Sequence, residues 1–337
     1  MKRLFRITLF LFLLILFLII GFYFWASSPN FSESDYAQIK TNQFSLKKNN
    51  DSIFSIITYN IGYLSGMTNN LPIKKSKTFF DNNLKLVKTL YKNLNADILA
   101  FQEIDLASKR SYDVNQQDEM TTLGYNYIAQ AINWDKKYLP FPEFPISRHY
   151  GRILSGQSVL SKFKIVNQER IELERNPTNP FNYDAFYIDR LAQIVKIQIK
   201  NKNIIVVNVH LEAFHQETRL KQTHKIIEIY NQYSKKFPTL LVGDFNSDVK
   251  YENASINLLL NIPKIGNAVY NNDMPKTFNS ENPSERLDYI FYNTDFIEFI
   301  NGRVLTEFKQ ASDHLPLLMK FKFKKHGRTQ NTTIKTS

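Results

Sequence analysis

The 337-residue chain contains no cysteine. This excludes disulfides and thiol catalysis and is compatible with an oxidising exterior. Both ends lack acidic residues. Residues 1–30 carry only Lys2, Arg3 and Arg6 as charged groups, and residues 320–337 only Lys320, Lys322, Lys324, Lys325, Arg328 and Lys335. The formal net charge of +12 is therefore mostly terminal, leaving an excess of +3 on residues 31–319, which does not indicate a broad nucleic-acid-binding face. No internal repeat is present.

Charge is absent altogether from Ile7 to Trp25, a run made almost entirely of Leu, Ile and Phe. A helix of this length crosses a hydrocarbon core of roughly 30 Å. Basic residues precede the run while Glu33 and Asp35 follow it, so the positive-inside bias puts the N-terminus in the cytoplasm and the remainder outside. The alternative is a cleaved signal peptide ending at Ala26-Ser27-Ser28, which would make the protein secreted. Pro29 after the cut and the length of the run favour an uncleaved anchor. Residues 1–26 are thus read as an anchor, 27–50 as a polar linker, 51–325 as one catalytic domain, and 326–337 as a disordered basic tail.

Within the domain, hydrophobic periodicity predicts strands at 53–59, 97–102, 156–161, 192–199, 204–209, 239–243, 288–292 and 317–323. Helices are predicted through Phe80, Leu84, Val87, Tyr91 and Leu94, and over 217–234. Residues 132–152, rich in aromatics and proline, read as a long loop. Trp134, Tyr138, Phe141 and Phe144 there could rest on a lipid interface, stack on bases, or fold over the domain's own core.

Several strands end in residues suited to phosphate or metal chemistry. Leu240 to Val242 runs through Gly243 into Asp244-Phe245-Asn246, and alternate residues of an extended segment face the same side, so Asp244 and Asn246 can act on one target. Glu103 follows the strand at 97–102, and its hard carboxylate suits Mg²⁺. His210 ends the strand at 204–209. Asp313-His314 sets a carboxylate before an imidazole, and Asp288 opens a late strand. Each has a structural alternative: an Asx-turn at Asp244, a turn cap at Asp313, an ion pair between Asp288 and Arg286.

In order, Asn60, Gln102-Glu103, Asn208 to Leu211, Gly243 to Asn246, Leu287-Asp288-Tyr289 and Ser312 to Pro316 resemble the motif series of the endonuclease/exonuclease/phosphatase superfamily over about residues 53–323. The resemblance implies an α/β fold, a four-layered α/β sandwich with two packed mixed β-sheets, here preceded by one N-terminal transmembrane helix. It implies metal-dependent hydrolysis of phosphoric esters. Glu103, with Asn60 beside it, would bind Mg²⁺, with Mn²⁺ as the alternative. Asp244 would orient or deprotonate water, Asn246 hold a phosphate oxygen, and His210 donate a proton or bind phosphate. His314 would contact phosphate or accept a proton, with Asp313 fixing its tautomer. Asp288 would support the site or add a second metal ligand. From position alone and not from the resemblance, Arg148 and Arg152, which follow the aromatic stretch, are expected to bind a second anionic group. The substrate stays open between a phospholipid headgroup, another phosphodiester and extracytoplasmic DNA or RNA; a silent phosphate-binding module is the non-enzymatic alternative. A monomer is expected.

Overall fold

The computed structural model describes residues 1–45, 52–69, 71–142, 144–270 and 274–324; the expected basic tail, 326–337, lies outside the described residues. The helices are α1 (Lys2–Ser27), α2 (Lys77–Leu94), α3 (Gln116–Thr121), α4 (Phe181–Asp184), α5 (Gln216–Ser234) and α6 (Ile256–Leu260). The strands are β1 (Ala37–Thr41), β2 (Phe54–Asn60), β3 (Ile98–Asp105), β4 (Tyr127–Leu139), β5 (Gly151–Ser161), β6 (Lys164–Glu172) and β7 (Leu191–Ile199). They continue as β8 (Lys202–His210), β9 (Thr239–Asp244), β10 (Ile265–Asn267), β11 (Asp288–Asn293), β12 (Ile297–Val304) and β13 (Leu317–Phe323).

The strands build two mixed sheets, ordered β1-β4-β5-β3-β2-β13-β12 and β10-β11-β9-β8-β7-β6. Their central strands are apolar on both faces because both faces are covered. Ile56 of β2, Ile98 and Ala100 of β3, Val206 of β8 and Leu240 and Val242 of β9 fill the space between the sheets. The alternate residues Ile57, Tyr59, Leu99 and Phe101 pack outward with Phe80, Val87 and Tyr91 of α2. On the other side Ile205, Val207 and Leu241 meet Ile226, Ile229 and Tyr230 of α5. The result is the expected helix–sheet–sheet–helix sandwich. The local punctuation fits: the Ser76 side chain caps α2 by accepting from the Phe79 amide, and Asn95 ends it in a left-handed conformation.

Two expectations change. The aromatic and proline-rich composition of 132–152 predicts a loop, whereas β4 runs through Leu139 and pairs with β5 from Gly151, with irregularities between Ile132 and Trp134 and between Lys136 and Leu139. Among the described residues, the turn at Pro140, Pro142 and Pro145 lacks strand pairing, in keeping with proline's missing ladder donor. The polar stretch 27–50 also contains structure: Ala37–Thr41 pairs antiparallel with β4, Ala37 opposite Ala131. Its polarity fits an edge strand, whose burial alternates between exposed and half-buried.

Candidate active site

Strand register brings three of the expected residues into one row. His210 of β8 lies opposite Asp244 of β9, and Asp244 opposite Asp288 of β11. Gly243, just before Asp244, is needed for that approach. Its φ is +133°, and a Cβ there would sit 2.0 Å from the Val209 carbonyl oxygen.

The facing sheet supplies the other half. Asn60 at the end of β2 pairs with Gln102 of β3, and β3 then breaks register against β5 between Phe101 and Ile104. The bulge sits at Glu103, which adopts a left-handed φ of 51°. Asn246 is likewise left-handed, at φ 48°. Such backbone outliers gather where a site holds a side chain in one direction. Between the sheets, Gln102 donates to the Asn208 side chain, whose own amide donates to the Phe101 carbonyl at 3.0 Å and to Gln193 at 3.1 Å. This amide network fixes one sheet against the other directly beneath the cleft.

Asp244 is the hub. Its Oδ2 accepts from Asn60 Nδ2 at 3.0 Å and stands 3.7 Å from both His210 Nε2 and His314 Nε2. Its Oδ1 accepts the Asn246 amide at 2.9 Å. That last bond is the Asx-turn considered as the structural alternative, so here the turn and the convergence coexist. Burial pushes the Asp244 carboxyl up to about 7, against the lowering influence of His314 and with a further rise from Asp288.

The two imidazoles are in opposite states. His314 Nδ1 meets Asp288 Oδ2 at 2.9 Å. Burial opposes its protonation, but the Asp288 and Asp244 carboxylates outweigh burial and hold His314 well above the ordinary histidine value. His210 is held well below it, by burial first and then by the positive charge of Arg190. Arg190 Nη1 lies 2.5 Å from His210 Nε2. Because guanidinium only donates, Nε2 must accept and the ring proton sits on Nδ1. The 3.6 Å approach of His210 Nε2 to Glu103 Oε1 is then not an ion pair.

The geometry revises two expected roles. Asp288, not the adjacent Asp313, orients His314, and the buried Arg286 bonds the Asp288 backbone carbonyl rather than its carboxylate. Asp313 turns instead toward Asn69, whose amide is shared between Glu103 Oε2 at 2.9 Å and both Asp313 oxygens at 3.4 Å. His210, expected to donate a proton or bind phosphate, turns its Nε2 to the Arg190 guanidinium, which supplies the positive charge there. Arg148 lies in the exposed turn and donates to the Pro72 carbonyl at 3.3 Å, while Arg152 pairs with Asp113 at 3.0 Å. Among the described residues neither bonds to the converged group.

Sequence reasoning did not single out Asn69, Arg190, Tyr187 or Glu212. Arg190 is 5% exposed, and its Nη2 donates to the Tyr187 hydroxyl at 3.2 Å. That hydroxyl donates to Glu212 at 3.0 Å. A usable signal was present: Glu212 and Arg190 are charges at the ends of apolar strands, where burial demands partners.

The oxygen donors can be tested for a cation. Glu103 and Asp313 converge on one neutral amide, and among the described residues neither is paired with a lysine or arginine. Two nearby carboxylates that share one neutral amide and are ion-paired with no lysine or arginine form a hard-oxygen set of the kind that suits Mg²⁺ or Mn²⁺. Asn60 Oδ1 accepts the Gly62 amide at 3.1 Å and retains a second lone pair. Asp244, Asp288 and His314 also lie close enough together to share an ion. There His314 Nδ1 is already engaged by Asp288 Oδ2, so the Glu103–Asp313 side offers the more complete set of oxygen donors.

The comparisons agree with this architecture. Residues 57–314 match the model of the Endonuclease/Exonuclease/phosphatase family. A structure of an endonuclease/exonuclease/phosphatase from Beutenbergia cavernae is similar at 16% identity and TM-score 0.62, covering 81% of this chain and 72% of that one. The human Nocturnin catalytic domain, solved with bound sulfate, is similar at 18% identity and TM-score 0.57, covering 88% and 99% respectively. A mannosyl-6-phosphatase from Bacteroides thetaiotaomicron is similar at 17% identity and TM-score 0.55, covering 81% and 100%. No curated protein sequence matches. With a family match over most of its length and with this sandwich and cleft, the chain belongs to the endonuclease/exonuclease/phosphatase family.

Proposed function

We propose that the protein is a membrane-anchored, divalent-metal-dependent hydrolase of phosphoric esters. The observation that carries this reading is the meeting of Asp244 and His314 with Glu103 and Asp313 at facing sheet ends, within one hydrogen-bonded cluster. Glu103 and Asp313, with Asn60 alongside, would hold Mg²⁺ or Mn²⁺. When bound, such an ion neutralises phosphate charge and polarises the phosphoryl oxygens.

The chain's own groups divide the remaining work. Asp244, when ionised, orients water and takes its proton; its elevated pKa makes it a stronger acceptor than an ordinary carboxylate. His314 presents a positive Nε2 to the phosphate, and Asp288 holds the ring in place through Nδ1. Asn246, its side-chain amide donating to the Leu211 carbonyl at 2.9 Å, has a carboxamide oxygen fixed in place and a second amide hydrogen free for a phosphate oxygen. Arg190, buried beside His210, adds a second positive group on the opposite wall.

The membrane reading is supported by α1, whose 26 residues have a mean hydropathy of 2.9 in their most apolar window and are unburied there by the rest of the protein. On this reading the N-terminus is cytoplasmic and the catalytic domain lies outside. A hydrolysis panel with added Mg²⁺, covering plasmid DNA, RNA, sphingomyelin, glycerophospholipids and phosphorylated inositols, tests the reaction and sorts the substrates. Absence of hydrolysis across the panel by folded protein would overturn the enzymatic reading.

A further inference from the structure

The last two turns of α1 are not free of the domain. The Phe22 and Trp25 rings pack on Tyr138 of β4, with centroids 5.7 and 6.2 Å apart. Tyr23 packs on Phe181 at 6.0 Å and Phe186 at 5.8 Å, and its hydroxyl donates to the Phe181 carbonyl at 3.3 Å. Immediately after the helix the chain is clamped. The Asp135 carboxylate accepts the Asn30 and Phe31 amides, each at 2.8 Å, and the Asn30 side chain at 2.5 Å. Lys137 donates its amide to the Ser28 carbonyl at 3.0 Å. Five hydrogen bonds and four ring contacts in this short stretch define an orientation, which a polar tether would not.

This docking has a consequence for depth. The apolar run from Ile7 to Trp25 is about 28 Å long at 1.5 Å per residue, close to the thickness of a hydrocarbon core. Tyr23 and Trp25 therefore lie at its outer boundary, the level where amphipathic aromatics collect. Whatever touches them is held at the same level. Phe181 touches Tyr23 yet is 79% exposed, and its neighbour Tyr183 is 50% exposed. Tyr138 bonds His149 at 2.9 Å across the turn that carries Phe144, 82% exposed, and Ile146, 67% exposed. Large apolar side chains left open to water beside a membrane helix are explained if lipid covers them.

We infer that the turn carrying Phe144 and Ile146 and the α4 segment carrying Phe181 and Tyr183 form, with the end of α1, one surface that inserts into the outer leaflet. This rests on the membrane-spanning reading of α1 and adds a fixed pose to it. The same pose sets the cleft at headgroup level. Phe186 touches Tyr23, its neighbour Tyr187 accepts from Arg190, and Arg190 donates to His210. The Arg190 wall of the site is therefore only a few side chains from the lipid boundary, where phosphate groups are dense.

The cysteine-free chain allows a direct test. Single substitutions Leu14→Cys, Phe144→Cys, Phe181→Cys and Tyr270→Cys in the full-length protein, each nitroxide-labelled, are reconstituted into vesicles of phosphatidylcholine and phosphatidylglycerol. Depth is read from relative accessibility to oxygen and to a water-soluble nickel chelate. The label at Leu14, in mid-helix, reports the bilayer core, and that at Tyr270, 63% exposed on the domain, reports water. Labels at Phe144 and Phe181 are expected in the interface, about 5–10 Å into the headgroup and acyl boundary. Aqueous labels at Phe144 and Phe181 with a buried label at Leu14 would overturn the inserted surface and leave the anchor standing. An aqueous label at Leu14 would overturn both.

Discussion

Replacing Asp288 by Asn separates the two acids that flank His314. The substitution is nearly isosteric and leaves an oxygen able to accept from His314 Nδ1, now 2.9 Å from Asp288 Oδ2, but it removes the charge. A hydrogen bond to a charged group contributes about 1.5–3 kcal/mol against about 0.5–1.5 for a neutral one. The difference, about 1–1.5 kcal/mol at mid-range, corresponds to a fall of about one unit in the His314 pKa and a fall in kcat of about 10-fold. The assay is a kcat–pH profile on the best substrate from the Mg²⁺ panel, with circular dichroism confirming the fold. The alkaline limb should move to lower pH in Asp288→Asn. In Asp313→Asn it should move less, while the Mg²⁺ concentration for half-activity rises, because Asp313 faces Asn69 and Glu103. An unmoved limb in Asp288→Asn together with a shifted one in Asp313→Asn would refute this division of roles.

Three further outcomes follow. His314→Ala should lower turnover by about 10²-fold or more, since positioned proton donors contribute about 10²–10⁴; full activity in folded protein would remove the imidazole from the mechanism. Asp244 must be ionised to accept a proton, and a carboxyl raised to about 7 is protonated below that pH, so activity at limiting metal should rise through roughly neutral pH. Added Mg²⁺ should move that limb to lower pH, because a nearby cation favours the carboxylate; a limb confined to the ordinary carboxylate range at limiting metal would count against a buried base. Gly243→Ala, which places a methyl 2.0 Å from the Val209 oxygen at a φ of +133°, should destabilise the protein by about 2–6 kcal/mol, from backbone strain and overpacking together. An unchanged denaturation midpoint would show that β8 and β9 move apart more easily than their register suggests.

Much of this was legible from the chain because doubly covered strands leave long apolar runs. The runs ending at Gln102, Val209 and Gly243 are β3, β8 and β9, and each delivers a polar residue to the cleft. Strands β1, β6 and β12 lie at sheet edges and have weaker patterns, with exposed positions throughout. Arg190 and Glu212 read as ordinary charges because their burial depends on Tyr187 and on each other at the shared end of the β7–β8 pair. The pairing of His314 with Asp288 was hidden for a related reason. Adjacent residues of an extended segment point to opposite sides, so the nearest carboxylate in sequence was not the nearest to the ring in space. The residue opposite Asp244 on β11 was.

The central claim is that a divalent cation at Glu103 and Asp313 works with Asp244 and His314 on one phosphoric ester. The most direct measurement is hydrolysis against Mg²⁺ concentration for the full-length protein and for Glu103→Gln, on the same substrate. The wild type should be silent in chelator and rise to saturation, while Glu103→Gln keeps its fold and requires far more Mg²⁺ for a much lower maximum. Equal titration curves for the two proteins, or full turnover in chelator, would contradict the account.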